Sequence, residues 1–240
     1  MISKNDAKYI QSLHHKKKRT QEGVFIAEGP KLVQELLSSQ FEVKQVYASP
    51  EWGEQNPAIK NIVEVTDAEL EKITTLQTPN QVLAIVKQLE VVREPVLQGR
   101  LSLVLDGIQD PGNMGTIIRI ADWFGIYQII ASEDTADVYN PKVVQATMGS
   151  IARVSVHYKK LPEWFAKITV PVYGALLNGE NVYTISEIKE GVLVIGNEGR
   201  GIREDVLPFI QKPLTIPGNG QTESLNAAVA TGIILSHIVQ

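Results

Sequence analysis

Through the first ninety residues, short apolar runs alternate with stretches whose apolar positions recur every three or four residues. Val24–Ala27, Val43–Ala48, Ile62–Val65 and Gln81–Val86 have the length and pattern of strands. Lys31–Ser39 places Leu32, Val33, Leu36 and Leu37 on one face and predicts a helix. A second helix is expected from Asp67, because Thr66-Asp-Ala-Glu69 has the spacing of a capping box. Residues 4–20 predict one basic helix with Ile10 and Leu13 as its few apolar positions, stopped by Gly23; Ser49-Pro50 is expected to end the second strand. These elements make a small α/β unit.

Val91–Arg100 is charged, contains Pro95 and Gly99 and lacks a clear period. It separates a first domain, residues 1–92, from a second, residues 100–240, with 93–99 as linker. Beyond it the apolar runs are those of strands buried on both faces: Leu101–Leu105, Tyr127–Ala131, Val154–His157, Val172–Leu176, Val192–Ile195 and Leu214–Ile216. Helices are expected over Asn113–Phe124, Pro141–Met148, Pro162–Lys167 and Ser224–Val239. The last is apolar nearly all round (Leu225, Val229, Ile233, Ile234, Leu235) and is expected to be buried. Repeated βα units predict a mostly parallel sheet with helices on both faces.

Composition narrows the chemistry. At 240 residues, 43% hydrophobic and 21% charged, the chain has the make-up of one large or two ordinary globular domains. No apolar run approaches a membrane span of roughly 18 residues. With no cysteine, thiolate nucleophiles and thiolate metal sites are excluded, and a reducing cytoplasm fits. Four histidines without ligand spacing predict no metal centre. Net charge is −4, but residues 1–20 hold six Lys/Arg against Asp6 alone, while the remainder carries 17 basic and 26 acidic residues. A basic segment on an acidic body marks Lys16, Lys17, Lys18 and Arg19 as candidate polyanion contacts; a solvated helix face is the alternative.

Three polar, glycine-containing stretches follow strands. The first is Asp106-Gly-Ile-Gln-Asp-Pro-Gly-Asn-Met-Gly-Thr-Ile-Ile-Arg119, which lacks the Lys-[Ser/Thr] of a P-loop; Arg119 could equally be a surface ion pair with Asp122 at i, i+3. The second is Gly196-Asn-Glu-Gly-Arg-Gly201, whose spacing is not the dinucleotide fingerprint, and whose Glu198 is unneeded for a plain turn. The third is Ile216–Ala230, where Ser224 could cap the last helix with Asn226 in its exposed first turn.

Taken together and in order, these stretches resemble the three motifs of the SpoU/TrmH family of RNA ribose 2′-O-methyltransferases. The basic stretch and Val24–Leu37 resemble the family's N-terminal substrate-binding domain. The resemblance implies S-adenosylmethionine as cofactor, held by Gly196, Asn197, Gly199, Ile216, Pro217, Leu225 and Ala227. It implies Arg119, Asn113, Glu198, Asn226 and Ser224 for chemistry and orientation, and ribosomal RNA ahead of transfer RNA as substrate. A C-terminal trefoil knot and a homodimer through the C-terminal domain, with Arg119 serving the partner's pocket, are also implied. Gln145 and Met148 depart from the residues common in the family. The competing expectations are a non-catalytic RNA- or ribosome-binding protein on the same fold, and a base methyltransferase.

Overall fold

The computed structural model describes residues 2–90 and 94–239; Val91, Val92 and Arg93, at the start of the expected linker, lie outside the described residues. The described chain divides into two compact units, residues 2–90 with 137–152, and residues 94–136 with 153–239.

The first unit runs α1 (Lys4–Ser12), α2 (Lys16–Glu22), β1 (Val24–Glu28), α3 (Pro30–Leu37), β2 (Val43–Ala48), α4 (Pro50–Gln55), β3 (Ile62–Glu64), α5 (Asp67–Ile73) and β4 (Val82–Lys87). Its sheet has the order β1-β4-β2-β3, with β4 antiparallel to both neighbours and β2 parallel to β3. The capping box forms: the Thr66 hydroxyl accepts from the Glu69 N–H at 3.3 Å, and the Glu69 carboxylate accepts from the Thr66 N–H at 2.9 Å.

One expectation is corrected here and another extended. The single basic helix is two helices broken at Leu13–His15. Ile10 and Leu13 are fully buried in the core, and the Arg19 guanidinium turns inward to donate to the Leu13 and His14 carbonyls (3.1 and 2.9 Å), just past the end of α1. Helix ends leave carbonyls without partners, and this side chain meets two of them. Ser49-Pro50 also does more than end β2. The Ser49 hydroxyl accepts from the Trp52 N–H, proline stands in the first turn, and α4 buries Trp52.

The second unit begins β5 (Leu101–Asp106), α6 (Pro111–Trp123) and β6 (Gln128–Ser132). After the segment that carries α7 (Pro141–Ala146), it resumes with β7 (Ser155–Lys159), α8 (Leu161–Phe165), β8 (Val172–Asn181), β9 (Gly191–Gly196), β10 (Lys212–Thr215) and α9 (Ala227–Ile238). All six strands are parallel, in the order β10-β8-β9-β5-β6-β7. Val104, Ile130, Val172, Val192 and Val194 share one face of the sheet with Trp164 and Phe165 of α8. Alternation turns Leu103, Leu105, Leu193 and Ile195 to the other face, where α6 and α9 pack on each other and α9 touches β9. α9 is not buried all round: Val229 is 51% exposed and Leu225 precedes the helix.

Residues 137–152 leave the second unit between β6 and β7 and belong to the first. Arg19 donates to Asp137 at 2.6 Å, Tyr139 stacks on Phe25 with centroids 4.8 Å apart, and its phenol oxygen accepts from the Leu89 N–H. Gln145 and Met148 both lie in this segment; Met148 has φ +51° and is 42% exposed.

Candidate active site

In a parallel sheet, ligands meet the chain beyond the carboxyl ends of the strands, where successive connections depart in opposite directions. Here that point lies between β5, which feeds β6 and β7 on one side, and β9, which borders β8 and β10 on the other. Asp106 and Gly196, the last residues of β5 and β9, pair directly. All three glycine-containing stretches start at this edge.

After β5, Asp110 caps α6 by accepting from the Asn113 N–H at 2.7 Å, with Pro111 in the first turn. Asn113 is thereby held at the helix start. After β9, Asn197 and Gly201 exchange two backbone hydrogen bonds (3.0 and 2.8 Å), folding the loop back on itself. A Cβ on Gly196 would lie 2.3 Å from the Gly201 carbonyl carbon, so only glycine fits at this close approach. The Asn197 amide donates to the Gly107 carbonyl (2.8 Å) and accepts from the Gly199 and Arg200 N–H groups.

The three stretches meet through one chain of side-chain hydrogen bonds. The Asn226 oxygen accepts from the Ala228 and Val229 N–H groups (3.0 and 3.2 Å), so Asn226 caps α9. With its oxygen committed to the helix, its amide nitrogen donates to the Asn113 oxygen at 2.8 Å. The Asn113 nitrogen must then donate, and it does so to the Glu198 carboxylate. The helix start sets the direction of every bond in the chain. Ser224, expected as the possible cap, is exposed and two residues short of that position; Asn226 holds it because its oxygen reaches the first free N–H groups of α9.

Arg119 is exposed on α6, and among the described residues it has no ion-pair or hydrogen-bond partner. Asp122, the partner offered for it by sequence, is taken by Arg153. Lys16, Lys17, Lys18 and Arg19 lie in the first unit. There Arg19 is corrected as an RNA contact: it is 1% exposed and committed to Asp137, Leu13 and His14. Lys18 pairs with Glu22 at 2.6 Å.

Two residues of this edge escaped the sequence reading. Asp106 is fully buried; its Oδ2 accepts from the Arg203 N–H at 2.8 Å and its Oδ1 lies 2.7 Å from the Arg203 Nε, an ion pair without good hydrogen-bond alignment. Burial pushes the Asp106 carboxyl above its ordinary range, and the Arg203 N–H and charge oppose that shift. A carboxylate closing an apolar run was the visible signal.

The residues present fit a nucleoside cofactor. Among the described residues, Pro217–Leu225 are exposed and make no hydrogen bond, so the C=O groups of this loop and, Pro217 apart, its N–H groups are left without a partner in the chain, and the space around the Gly218 and Gly220 α-carbons is open. Leu225, 45% exposed, and half-buried Ile216 put apolar side chains at the two ends of this loop, and the Gly196, Asn197 and Gly199 backbone stands at the end of β9; Ala227 is buried and offers only backbone. Backbone polar groups next to apolar side chains suit a purine and an amino-acid moiety.

A parallel α/β domain with this loop cluster at its strand ends is a ligand-binding domain of the doubly wound type. The SpoU rRNA Methylase family model matches residues 100–236, and the MRM3-like substrate binding domain model matches residues 4–84. The chain belongs to the SpoU rRNA methylase family. It is 34% identical over 235 residues to the 23S rRNA (guanosine(2553)-2′-O)-methyltransferase RlmP of Bacillus subtilis, covering 95% of this chain and 93% of that one. Among solved structures, a TrmH-family protein from Porphyromonas gingivalis is 39% identical with TM-score 0.88, covering 100% and 98% of the two chains. An rRNA methyltransferase from Sinorhizobium meliloti with bound AdoMet is 31% identical with TM-score 0.86, covering 99% and 95%.

Proposed function

We propose that the chain transfers the methyl group of S-adenosylmethionine to the 2′-oxygen of a ribose in ribosomal RNA. The observation that carries this reading is the directed chain from the start of α9 through Asn226 and Asn113 to Glu198. When bound, S-adenosylmethionine supplies an electrophilic methyl group on a cationic sulfur. The ribose hydroxyl is a weak nucleophile, so the protein must align it and stabilise the charge it develops. Glu198, Asn113, Asn226 and Ser224 orient the ribose. Arg119 places a positive charge by the developing alkoxide; a guanidinium keeps its proton and acts here as charge, not base, so the hydroxyl proton passes to water as the methyl–sulfur bond breaks to leave a neutral thioether. Gly196, Asn197, Gly199, Ile216, Pro217, Leu225 and Ala227 hold the cofactor, the last through its backbone.

In this reading residues 1–92 select the RNA and 100–240 perform the transfer, with 93–99 between them. Lys16 and Lys17 carry the phosphate contacts. The likeness over the whole chain to a solved TrmH-family structure supports a knotted C-terminus. Exposed Trp123 on α6 (85%) and Val229 on α9 (51%) support a homodimer through the C-terminal domain. A ribosomal RNA substrate supports a cytoplasmic location. The test is to incubate the protein with ribosomal RNA and methyl-labelled cofactor and digest the product to nucleosides. Label on ribose is expected; label on a base, or none with intact cofactor binding, overturns the reading.

A further inference from the structure

The loop carrying Glu198 is fastened at both ends to two consecutive residues of the neighbouring strand end. At its start the Asn197 amide donates to the Gly107 carbonyl at 2.8 Å. At its far end the Arg203 N–H donates to Asp106 at 2.8 Å, with the guanidinium alongside at 2.7 Å. Gly107 is itself held, its N–H donating to the Ser132 hydroxyl at the end of β6 (2.9 Å). Leu101–Leu105 shows what a buried strand here would otherwise contain, and a carboxylate at full burial is unfavourable unless paired. Ile202, buried in the core beside the latch, fixes the loop's depth but not the direction of its backbone.

We propose that Asp106 is a positioning residue for the proposed methyl transfer: by receiving Arg203 at the end of β5 it fixes the 197–203 loop in the form that brings Glu198 to Asn113. Arg203 is its counter-ion, and that guanidinium also faces Asp134 at 3.6 Å and Asp205 at 3.9 Å. This rests on the function proposed above, and extends it to two residues outside the chain of hydrogen bonds that runs from Asn226 through Asn113 to Glu198.

The test compares the full-length protein with Asp106→Asn, Arg203→Ala and the double variant. In Asp106→Asn one oxygen still accepts the Arg203 N–H, but an amide nitrogen faces the guanidinium, donor against donor. Backbone hydrogen exchange in the cofactor-free protein should accelerate at residues 197–203, with β5 and β6 unchanged. S-adenosylmethionine affinity by calorimetry should fall on the order of 10–100-fold, the cost of slight misplacement. Arg203→Ala should loosen the loop less, since the backbone bond persists. The double variant removes the facing donors and should bind the cofactor better than Asp106→Asn alone, a recovery that a general packing role would not give. Unchanged loop exchange, exchange rising evenly through β5, β6 and β9, or a double variant no better than Asp106→Asn each overturn the proposal. If Asp106→Asn does not fold, the exchange pattern of Arg203→Ala decides in the same way. Failure of the wild-type protein to bind the cofactor would sink the proposed function, while the exchange comparison would still read the latch.

Discussion

Arg153 grips Asp122 through its Nε, 3.0 Å from both carboxylate oxygens, and a terminal nitrogen at 2.9 Å, so that Arg119 one turn earlier on α6 is left without its nearest candidate partner. An exposed guanidinium beside an already neutralised carboxylate is available to an incoming anionic centre. Arg119→Ala should therefore leave the melting temperature within what about 0.5 kcal/mol would shift. Cofactor affinity should be unchanged and kcat should fall by about 10²–10³-fold. A loss of cofactor affinity instead would place Arg119 in binding.

Asn226 has two separable tasks, capping α9 and orienting Asn113. Asn226→Asp keeps the accepting oxygen and loses the donor, so it should retain stability and lose activity. Asn226→Ala should lose activity and also about 1 kcal/mol of stability. Denaturant melts of the two variants, with methyl transfer measured in parallel, check the division; equal stabilities would show that the cap contributes nothing.

Gly196→Ala should act differently from either. Its Cβ would lie 2.3 and 2.4 Å from the Gly201 carbonyl carbon and the Ile202 nitrogen, both backbone and therefore unable to rotate away. The expected cost is at least the 1–3 kcal/mol or so of an overpacked core, together with loss of cofactor binding. Wild-type stability for this variant would mean that the loop at 201–202 is free to shift.

The parts of the site that were legible in sequence are those whose residue type is wrong for its local role. Glu198 between two glycines, and Asn113 with Arg119 on one helix, stand out against what a turn or an amphipathic helix requires. What brings Asn113 to Glu198 and Asn226, 85 and 113 residues away, is the parallel pairing of β5 with β9, which periodicity predicts only as a class. Arg19 was hidden because its neighbours are also cations and its partner Asp137 is 118 residues distant. The placement of residues 137–152 was hidden too. Val143 and Val144 announce a buried face, but nothing local says which core receives it. α9 shows the reverse case: its apolar residues run all round, and Val229 stays exposed.

The division between buried Arg19 and the lysines before it can be tested directly. Arg19→Ala removes the buried partner of a partly buried ion pair and two hydrogen bonds to carbonyls, and should destabilise the first unit by up to about 3–5 kcal/mol. Lys16→Ala with Lys17→Ala should leave stability alone and weaken binding to all RNAs. The slope of log affinity against log salt should fall by up to about 0.7–0.9 for each phosphate no longer neutralised. An unchanged salt slope would return these lysines to a solvated helix face.

The proposed dimer can be tested by mixing two of these variants. Arg119→Ala keeps every residue proposed for the cofactor pocket, and Asn226→Asp keeps Arg119 and the cap of α9. Each alone should be inactive while folded and dimeric. If Arg119 serves the partner's pocket, a mixed dimer holds one complete site, built from the pocket of one chain and the arginine of the other. Equal mixing and reassociation makes about half the dimers mixed, each with one working site of two, so about a quarter of wild-type activity should return. If Arg119 acts in its own subunit, a mixed dimer has each site missing one group and nothing returns. Native mass spectrometry identifies the mixed dimers. Activity absent in their presence rules out the exchanged arginine, and a purely monomeric protein in sedimentation rules out the dimer itself.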